Sequence, residues 1–513
     1  MHTPLRVVCV SRNYLLATLV ASASACIRHF VSFALVEIIY SPLSRLVHLR
    51  LMQQEGKMTD ITQLSSIIKD SSRLVYSDKI EARYLSDTLG RKKGLASALV
   101  FPVSTEEVSA VLRFAYENSI PVTPRGAGTN LVGSTVPHDG SIILDFSLMN
   151  KILEIDKENF TATVEPGVIL EDFQKYVESM GLFYPPDPGE KRASIGGNIS
   201  TNAGGMRAVK YGVTRDYVMG LEIVKADGTV VTVGSKNRKD TTGLDLKDIV
   251  IGSEGTLAVI TKCLLRLVGK PEKSLSVLAG FNSLKSGIEA VPKILQANLN
   301  PTAVEFIEKK VVALGEKFLN LKFPLENEAY LLLTFDGKAE EIDSAFKNLQ
   351  TVLKDSAEKI ISLDDSVLSQ NVWRIRGCLV KAVEAVSEQE PLDIVVPIAK
   401  VADFVNFVNK LEGQSGMQMI SFGHAGDGNV HLCVVRGDRN EETWQKELHE
   451  NLEKLYSYAR KLGGLISGEH GLGVSKRNFF FAETPEANVE LMNAVKSAFD
   501  PKRILNSNIS YVK

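Results

Sequence analysis

Hydrophobic and polar positions change their spacing along this chain, and each change predicts a different element. From about residue 59 to residue 93 the spacing is helical and largely polar. The next stretch, ASALVFPVSTEEVSAVLRFAYENSIPVTPRGAGTN, reads as an apolar strand, a Ser/Thr N-cap followed by glutamates, a helix and a second strand. We therefore predict a βαβ unit here. Residues 141–270 are mainly strand-like, separated by Gly, Asp-Gly and Pro.

Longer units begin after GKPEK, at about residues 270–274. Two strand-helix-strand units are predicted over the stretch from SLSVLAGF to AEEIDSAFKNLQTVLK. They are extended by LDIVVPI, a helix over 400–412 and the hairpin-like MQMISFGHAGDGNVHLCVVRG. This order predicts an open antiparallel sheet with helices on one face, in an α+β domain. The tail, from ETWQKELHENLEKLYSYARKLGG onward, is predicted to be mostly helical.

Residues 1–57 differ in composition from the rest of the chain. The segment 14–40 is apolar enough to suggest a membrane span or a signal peptide, but Arg28 and His29 interrupt it near the middle. A charge at the centre of a membrane helix costs about 2.5 kcal/mol or more, and no unbroken apolar run of about 18 to 20 residues remains. We interpret residues 1–57 as a non-native translated leader before a start at Met58, with a targeting leader as the alternative.

The totals exclude several classes of protein. A chain of 513 residues, 44% hydrophobic, can bury large cores in two or three domains. The formal net charge of -2 gives no reason to expect a nucleic-acid partner. The cysteines are scattered, which excludes the usual Fe–S ligand runs and a disulfide framework and favours a reducing compartment. Any electrons that this protein handles must therefore leave through something else.

Three glycine-rich loops carry the first functional signal. PRGAGTN, residues 124–130, follows a strand, but Leu131 stands where a Rossmann fingerprint has its third glycine. Its backbone amides could instead approach one anionic group, with Arg125 adding charge. The second loop, 185–216, is too long for an ordinary connection and suggests a groove for a large polar ligand with a pyrophosphate. The third, IGSEGTLAVIT at 251–261, puts two glycines before a strand.

These loops also carry a family resemblance. PRGAGTN, IGGNISTNAGG, KYGVTRDYVMGLEIVKADG and GSEGTLAVIT resemble the FAD domain of vanillyl-alcohol-oxidase type flavoproteins, in the D-2-hydroxyacid dehydrogenase branch. That branch holds D-lactate dehydrogenase, the glycolate oxidase flavin subunit and D-2-hydroxyglutarate dehydrogenase, and the resemblance runs from about 76 to 508. It implies a two-subdomain FAD-binding domain over 58–270, a substrate or cap domain over 271–460, and a C-terminal segment, 461–513, that returns to the FAD domain.

The resemblance also implies which residues hold FAD. The pyrophosphate would lie on the first loop, at Pro124, Arg125, Gly126, Ala127, Gly128, Thr129 and Asn130. The adenosine and isoalloxazine path would be lined by Ser194, Gly197, Asn198, Ser200 and Gly204, with backbone of Val259 and Ile260 on the ring side. Ala127 replaces the family's usual middle glycine with another small residue. Because no histidine lies in these loops, the flavin is expected to be non-covalent.

Two histidines flank a turn signal in HAGDGNVH, residues 424–431. If Asp427 and Gly428 form a two-residue hairpin turn, His424 and His431 lie directly opposite each other, with Cβ atoms about 4.5–5.5 Å apart. For an isolated H-x6-H pattern, two strand histidines with local hydrogen bonds would be the better interpretation. A second segment changes that balance.

GLISGEHGLG, residues 464–473, adds Glu469 and His470 between glycines. Two imidazoles and one carboxylate make a three-ligand set with an open position, suited to zinc or another divalent metal. Family members with HxGDGNxH and GEHG use these residues around a metal. We therefore predict that His424, His431 and Glu469 are metal ligands. His470 is predicted to be the base that takes the substrate hydroxyl proton as hydride leaves for the flavin.

A substrate carboxylate needs a cation, and WRIRGCLVKAV offers Arg374 and Arg376 on a predicted helix. Two arginines two positions apart face different sides, and family position selects Arg376. In the 2-hydroxyglutarate branch an asparagine stands two residues after the second histidine. Here that residue is Cys433, which favours a smaller monocarboxylate such as D-lactate or glycolate.

The predicted function is FAD-dependent oxidation of a small D-2-hydroxy acid, with an external acceptor such as quinone, an electron-transfer flavoprotein or a cytochrome. A metal-dependent hydrolase is one alternative, although it leaves the glycine-rich half unexplained. A non-catalytic flavin-binding subunit of an oxidase complex is the other. We expect a cytoplasmic protein, with peripheral attachment to the inner face of the membrane and a homodimer left open.

Overall fold

A computed structural model describes residues 60–509. The chain divides into two compact units, Met1–Thr62 and Gln63–Lys513, and the elements below belong to the second. Its strands are β1 Leu74–Tyr76, β2 Ala96–Val100, β3 Val122–Arg125, β4 Ser141–Asp145, β5 Ile152–Asp156, β6 Thr161–Val164, β7 Leu182–Phe183, β8 Val218–Val224, β9 Val230–Gly234, β10 Val259–Arg266, β11 Val268–Gly269, β12 Lys273–Phe281, β13 Ala303–Glu308, β14 Ala329–Gly337, β15 Lys359–Ser362, β16 Gln389–Val395, β17 Met419–His424 and β18 Asn429–Val435.

The helices of the same unit lie between and after these strands. They are α1 Leu64–Ile67, α2 Thr105–Glu117, α3 Leu170–Glu178, α4 Ile195–Thr201, α5 Ala208–Tyr211, α6 Leu246–Val250, α7 Leu284–Gln296, α8 Lys309–Leu319, α9 Ala339–Leu353, α10 Ser366–Gly377, α11 Leu379–Glu384, α12 Val401–Ser415, α13 Glu441–Lys461, α14 Arg477–Glu483 and α15 Glu486–Phe499. Among residues 60–509, no helix is both long enough and apolar enough to cross a bilayer.

The first half of the unit holds two larger sheets and a two-stranded one. The four-stranded sheet has the order β1-β2-β4-β3, with β2, β4 and β3 parallel. The predicted βαβ unit is β2-α2-β3, and β4 lies between its two strands. Ser104 caps α2 by accepting the Glu107 N–H at 3.3 Å, as the N-cap signal indicates. The five-stranded sheet, β5-β6-β10-β8-β9, is antiparallel throughout.

The second half is built on one antiparallel sheet of seven strands, in the order β15-β12-β14-β13-β17-β18-β16. The α+β architecture is confirmed, but helices cover both faces of this sheet rather than the one face that we expected. Val277 faces α7, α9 and α12, whereas its neighbour Leu278 faces α8, α10 and α11. The reason is visible in β12, whose segment VLAGF is apolar at successive positions, so both faces of the strand must be buried.

The polar helix predicted over residues 59–93 is wrong. Of that span, only α1 forms a regular α-helix, and β1 follows it as an edge strand paired with β2. The Asp70 carboxylate accepts the backbone N–H of Ser72 at 3.0 Å. Short polar side chains that bind nearby backbone in this way compete with helix formation, and the helical spacing of the apolar residues did not outweigh them.

The C-terminal chain lies against β3 and the segments around Ser134 and Glu254. Leu505 forms a parallel bridge with Val122, the first residue of β3. The Asn506 amide donates to the carbonyls of Ser134 and Glu254, at 3.0 and 2.7 Å. The predicted domain limits stay predictions, and the leader over residues 1–57 lies outside the described residues.

Candidate active site

One cavity of about 1120 Å³ joins the two halves of the unit. Its wall includes all three glycine-rich loops on one side and the β17-β18 hairpin with α10 and α11 on the other. The residues predicted to contact the cofactor that line it are Pro124, Arg125, Gly126, Ala127, Gly128, Thr129, Asn130, Ser194, Gly197, Asn198, Ser200, Val259 and Ile260. Gly204 is not part of this wall. It packs against the Glu469 side chain, since a Cβ added to Gly204 would be 3.4 Å from Glu469 Oε2.

The first and second glycine-rich loops touch at one hydroxyl. The Ala127 N–H donates to Ser194 Oγ at 3.2 Å, and the same oxygen accepts the Gly197 N–H at 3.3 Å. A Cβ on Gly126 would stand 2.1 Å from that oxygen, so only glycine allows this approach. Ser194 is also the N-cap of α4, which explains why part of the stretch predicted as a loop is helical.

Arg125 does not direct its charge as expected. Its guanidinium donates to the Arg83 carbonyl at 2.8 Å and to Thr135 Oγ1 at 3.3 Å, and it lies 3.8 Å from Asp145. Burial lowers the pKa of the Arg125 guanidinium. A Cβ on Gly128 would meet Arg125 Nη2 at 2.1 Å, so the side chain packs beneath its own loop. Arg125 therefore supports the loop from inside the protein.

The hairpin carries both predicted histidines on one face, in a register that differs from our prediction. His424 pairs with Asn429, and His431 pairs with Phe422. Four residues, not two, connect the strands, so the histidines are diagonal rather than directly opposite neighbours. A shift of two positions keeps a side chain on its face, whereas a shift of one would reverse it. His424 Nε2 and His431 Nε2 are consequently still only 3.1 Å apart.

Glu469 completes a compact set of three side chains. Its Oε1 lies 3.3 Å from His431 Nε2 and 3.8 Å from His424 Nε2. One ligand atom from each residue lies within 4.8 Å of the others. Glu469 Oε2 is buried and makes no hydrogen bond within residues 60–509. The donor set and this unsatisfied oxygen both fit a divalent cation.

The charges of the cluster favour a cation as well. Burial opposes protonation of His424, but the Glu305 carboxylate, 2.6 Å from its Nδ1, and Glu469 outweigh it and raise the pKa of His424 to about 10. Burial lowers the pKa of His431. Burial also opposes ionisation of Glu469, yet its hydrogen bonds to both imidazoles hold its pKa well below the usual value. Arg376 offsets part of the Glu305 charge, and the buried Glu469 carboxylate requires further positive charge, supplied by a proton or by a metal ion.

Glu305 is a site residue that sequence reasoning missed. It is fully buried on β13, directly opposite His424 of β17. Its Oε2 accepts bonds from Arg376 Nε at 2.8 Å and Nη2 at 2.5 Å. The available signal was a glutamate inside the apolar strand AVEFIE. Arg376 therefore lines the cavity with part of its guanidinium already paired to the carboxylate that orients His424.

Asp393, on β16, is the second residue that sequence reasoning missed. It anchors the loop of residues 468–473, which is called the GEHG loop below. Its Oδ2 accepts three successive backbone N–H groups, from Gly468 at 3.0 Å and from Glu469 and His470 at 2.8 Å each. Its Oδ1 pairs with the buried Lys476 ammonium and lies 3.5 Å from His470 Nδ1. Burial opposes its ionisation, but His470 and Lys476 lower the pKa of Asp393 to about 2. An aspartate inside the apolar run LDIVV was the only hint.

The glycine-rich half holds the other side of the GEHG loop. Glu254 accepts the N–H groups of Leu472 and Gly473, each at 3.1 Å, and the Ser134 hydroxyl at 2.6 Å. The Asn130 amide donates to the His470 carbonyl at 3.2 Å. Side chains from the two halves therefore fix one loop, and that loop places His470 beside the cluster.

Known proteins match this chain along most of its length. The family model described as FAD binding domain matches residues 96–234, and the one described as FAD linked oxidases, C-terminal domain, matches residues 270–509. A D-lactate dehydrogenase from Anaerostipes hadrus is 41% identical over 85% of this chain and 94% of its own length. The glycolate oxidase subunit GlcD of Bacillus subtilis is 36% identical over 86% and 93%.

A solved structure supports the fold. That of p-cresol methylhydroxylase with substrate bound superposes with a TM-score of 0.74 at 18% identity, covering 88% of this chain and 96% of that one. The predicted family and enzyme class are confirmed. The chain belongs to the FAD-linked oxidoreductases of the vanillyl-alcohol-oxidase type, in the branch that holds D-lactate dehydrogenase and the glycolate oxidase flavin subunit.

Proposed function

We propose that this enzyme oxidises a small D-2-hydroxy acid, D-lactate or glycolate, to the 2-oxo acid, with non-covalent FAD and a zinc or similar divalent ion. The observation that carries the proposal is the meeting of His424, His431, Glu469 and His470 in the cavity that the glycine-rich loops line. Relatives named D-lactate dehydrogenase and glycolate oxidase support the substrate class. The family assignment accounts for the half of the chain that the hydrolase alternative left unexplained.

Bound FAD would supply a hydride acceptor, and a cation held by His424, His431 and Glu469 would polarise the substrate hydroxyl. The protein's own base is His470. Its Nε2 lies 3.8 Å from Glu469 Oε1, and its ring stacks on that of His431 with centroids 5.6 Å apart. Asp393, on the Nδ1 side, stabilises the imidazolium that forms when Nε2 takes the hydroxyl proton. As the O–H and C–H bonds break, the carbonyl of the 2-oxo acid forms.

Arg376 is proposed to bind the substrate carboxylate. Glu305 occupies its Nε and Nη2, so Nη1 is the nitrogen left for a ligand in the cavity. Val380, Phe422 and Cys433 line the same wall and belong to one apolar cluster. Burial raises the pKa of the Cys433 thiol to about 12, so it stays neutral. The apolar surface of these three residues supports a monocarboxylate over a substrate with a second carboxylate.

Anaerobic reduction of the flavin tests the proposed reaction. The purified protein is mixed without oxygen with D-lactate, glycolate, L-lactate or D-2-hydroxyglutarate, and the flavin absorbance near 450 nm is followed. We expect D-lactate or glycolate to bleach it and L-lactate to leave it unchanged. Bleaching by none of the four would contradict the proposed substrate class and support the non-catalytic subunit alternative.

Gly126→Ala is expected to lower the FAD content of the purified protein. The new Cβ would overlap Ser194 Oγ, which must move and release both N–H groups that it now accepts. The measurement is the ratio of flavin to protein absorbance after gel filtration. Gly189→Ala is the matched control, since Gly189 lines the same cavity but has open space at its Cβ position. Equal flavin content in both variants would contradict this account of the loop.

The next electron acceptor, the compartment and the oligomeric state stay predictions. An external acceptor, quinone, an electron-transfer flavoprotein or a cytochrome, follows from the scattered cysteines and the absence of an Fe–S ligand motif in the sequence. A cytoplasmic location is proposed because the scattered cysteines favour a reducing compartment.

A further inference from the structure

We propose that Asn429 belongs to the metal centre, where its side-chain amide serves as a neutral fourth contact for the bound cation. The inference rests on the metal site of the proposed function and deepens it. Asn429 is the first residue of β18 and lies directly opposite His424 on β17. It therefore projects from the same sheet face as His424 and, two positions along β18, His431.

The Asn429 amide is buried without a partner. The residue is 5% exposed, and neither its Oδ1 nor its Nδ2 makes a hydrogen bond within residues 60–509. Leaving a buried polar group unsatisfied costs about 1–3 kcal/mol. Such a group is normally retained where a water or an ion satisfies it.

The position of the amide limits what that partner is. A Cβ on Gly468 would stand 1.9 Å from Asn429 Nδ2, so the amide fills the space next to the residue that precedes Glu469. Directly opposite strand residues have Cβ atoms about 4.5–5.5 Å apart, so the side chains of Asn429 and His424 leave the sheet side by side. The amide therefore shares a sheet face with His424 and His431, and it packs against Gly468, the residue before Glu469.

A neutral contact also suits the charge of the site. Glu305 and Glu469 already bring two buried carboxylates to the two imidazoles. A third carboxylate would have to be neutralised at further cost, whereas an amide oxygen binds a cation without adding charge. Amide oxygen and nitrogen exchange places by a simple flip, so either end of the side chain can present the oxygen.

The test is the zinc affinity of metal-stripped protein, measured by competition with a chromophoric chelator and by the zinc-induced rise in melting temperature. Asn429→Ala is expected to weaken zinc binding by about 10- to 100-fold, the usual effect of removing a group that supports metal ligands. Without zinc its melting temperature should fall little, because the lost amide had no partner in the protein. Asn429→Ser is measured alongside it in case the alanine variant folds poorly.

Asn451→Ala is the matched control. Asn451 is also buried with an unsatisfied Oδ1, but it lies on α13, where its Nδ2 donates to the Glu447 carbonyl. Its zinc affinity should equal that of the unmodified protein. If the unmodified protein binds zinc and both Asn429 variants bind it equally well, the inference on Asn429 is wrong and the metal site stands. If the unmodified protein binds no zinc, or if His424→Ala binds zinc as tightly as the unmodified protein, the metal site itself fails, and with it this inference.

Discussion

Flavin reduction by D-lactate in the His470→Ala variant is expected to be about 10²- to 10⁴-fold slower than in the unmodified protein, the usual contribution of a positioned base. The variant removes the imidazole that would take the hydroxyl proton, while the three predicted metal ligands and the glycine-rich loops keep their side chains. FAD content should therefore be unchanged. Stopped-flow absorbance near 450 nm under anaerobic conditions measures the rate.

His449→Ala is the control for this result. His449 lies on α13 with a side chain 60% exposed, 3.3 Å from Glu453 and outside the cavity wall. It should reduce its flavin at the unmodified rate. A His470→Ala variant that is slowed by less than about tenfold, below the range of base catalysis, would remove His470 as the base.

Asp393→Ala is expected to lower the free energy of unfolding of the protein by about 3–5 kcal/mol, the cost of leaving one partner of a buried ion pair alone. Lys476 would remain buried with no carboxylate, and three N–H groups of the GEHG loop would lose their acceptor. Urea unfolding followed by tryptophan fluorescence measures the loss. Trp373 lies on α10 and Trp444 on α13, and both belong to the hydrophobic clusters on the two faces of the seven-stranded sheet.

Two further variants test the cause of that loss in the free energy of unfolding. Asp403→Ala removes the carboxylate of a surface pair with Lys400 and should cost about 1 kcal/mol or less. Lys476→Met combined with Asp393→Asn removes both charges and should recover part of the stability. A loss in Asp393→Ala no greater than that in Asp403→Ala would show that the GEHG loop does not depend on this carboxylate.

Local patterns in the sequence were sufficient for much of this structure. Strand periodicity placed His424 and His431 on one face, and this conclusion survived an error of two positions in the register, because a shift of two preserves the face. The register itself depends on how residues 425–428 fold, and the Asp-Gly signal indicated a shorter turn than the one that forms. The glycine-rich loops were likewise recognisable from composition and order alone.

The roles of Glu305 and Asp393 could not be predicted from local sequence patterns. Glu305 meets His424 across 119 residues of sequence, and Asp393 meets the His470 N–H across 77. The first contact depends on β13 lying beside β17, and the second on the segment around Leu465 lying along the edge strand β16. No periodicity in the sequence encodes either arrangement. The same limit explains Arg125, since its sequence neighbours do not reveal that Arg83 and Asp145 would enclose its guanidinium.

The shared anchoring of the GEHG loop has a consequence for any attempt to divide this protein. A fragment starting at residue 271 would carry both imidazoles, Glu469 and Asp393, but neither Asn130 nor Glu254. The loop would then be tied at Gly468–His470 and untethered at Leu472 and Gly473. Severing the halves would thus spare the proposed metal ligands and misalign His470, the proposed proton acceptor. Recombined fragments should therefore regain turnover only when the two pieces reassociate.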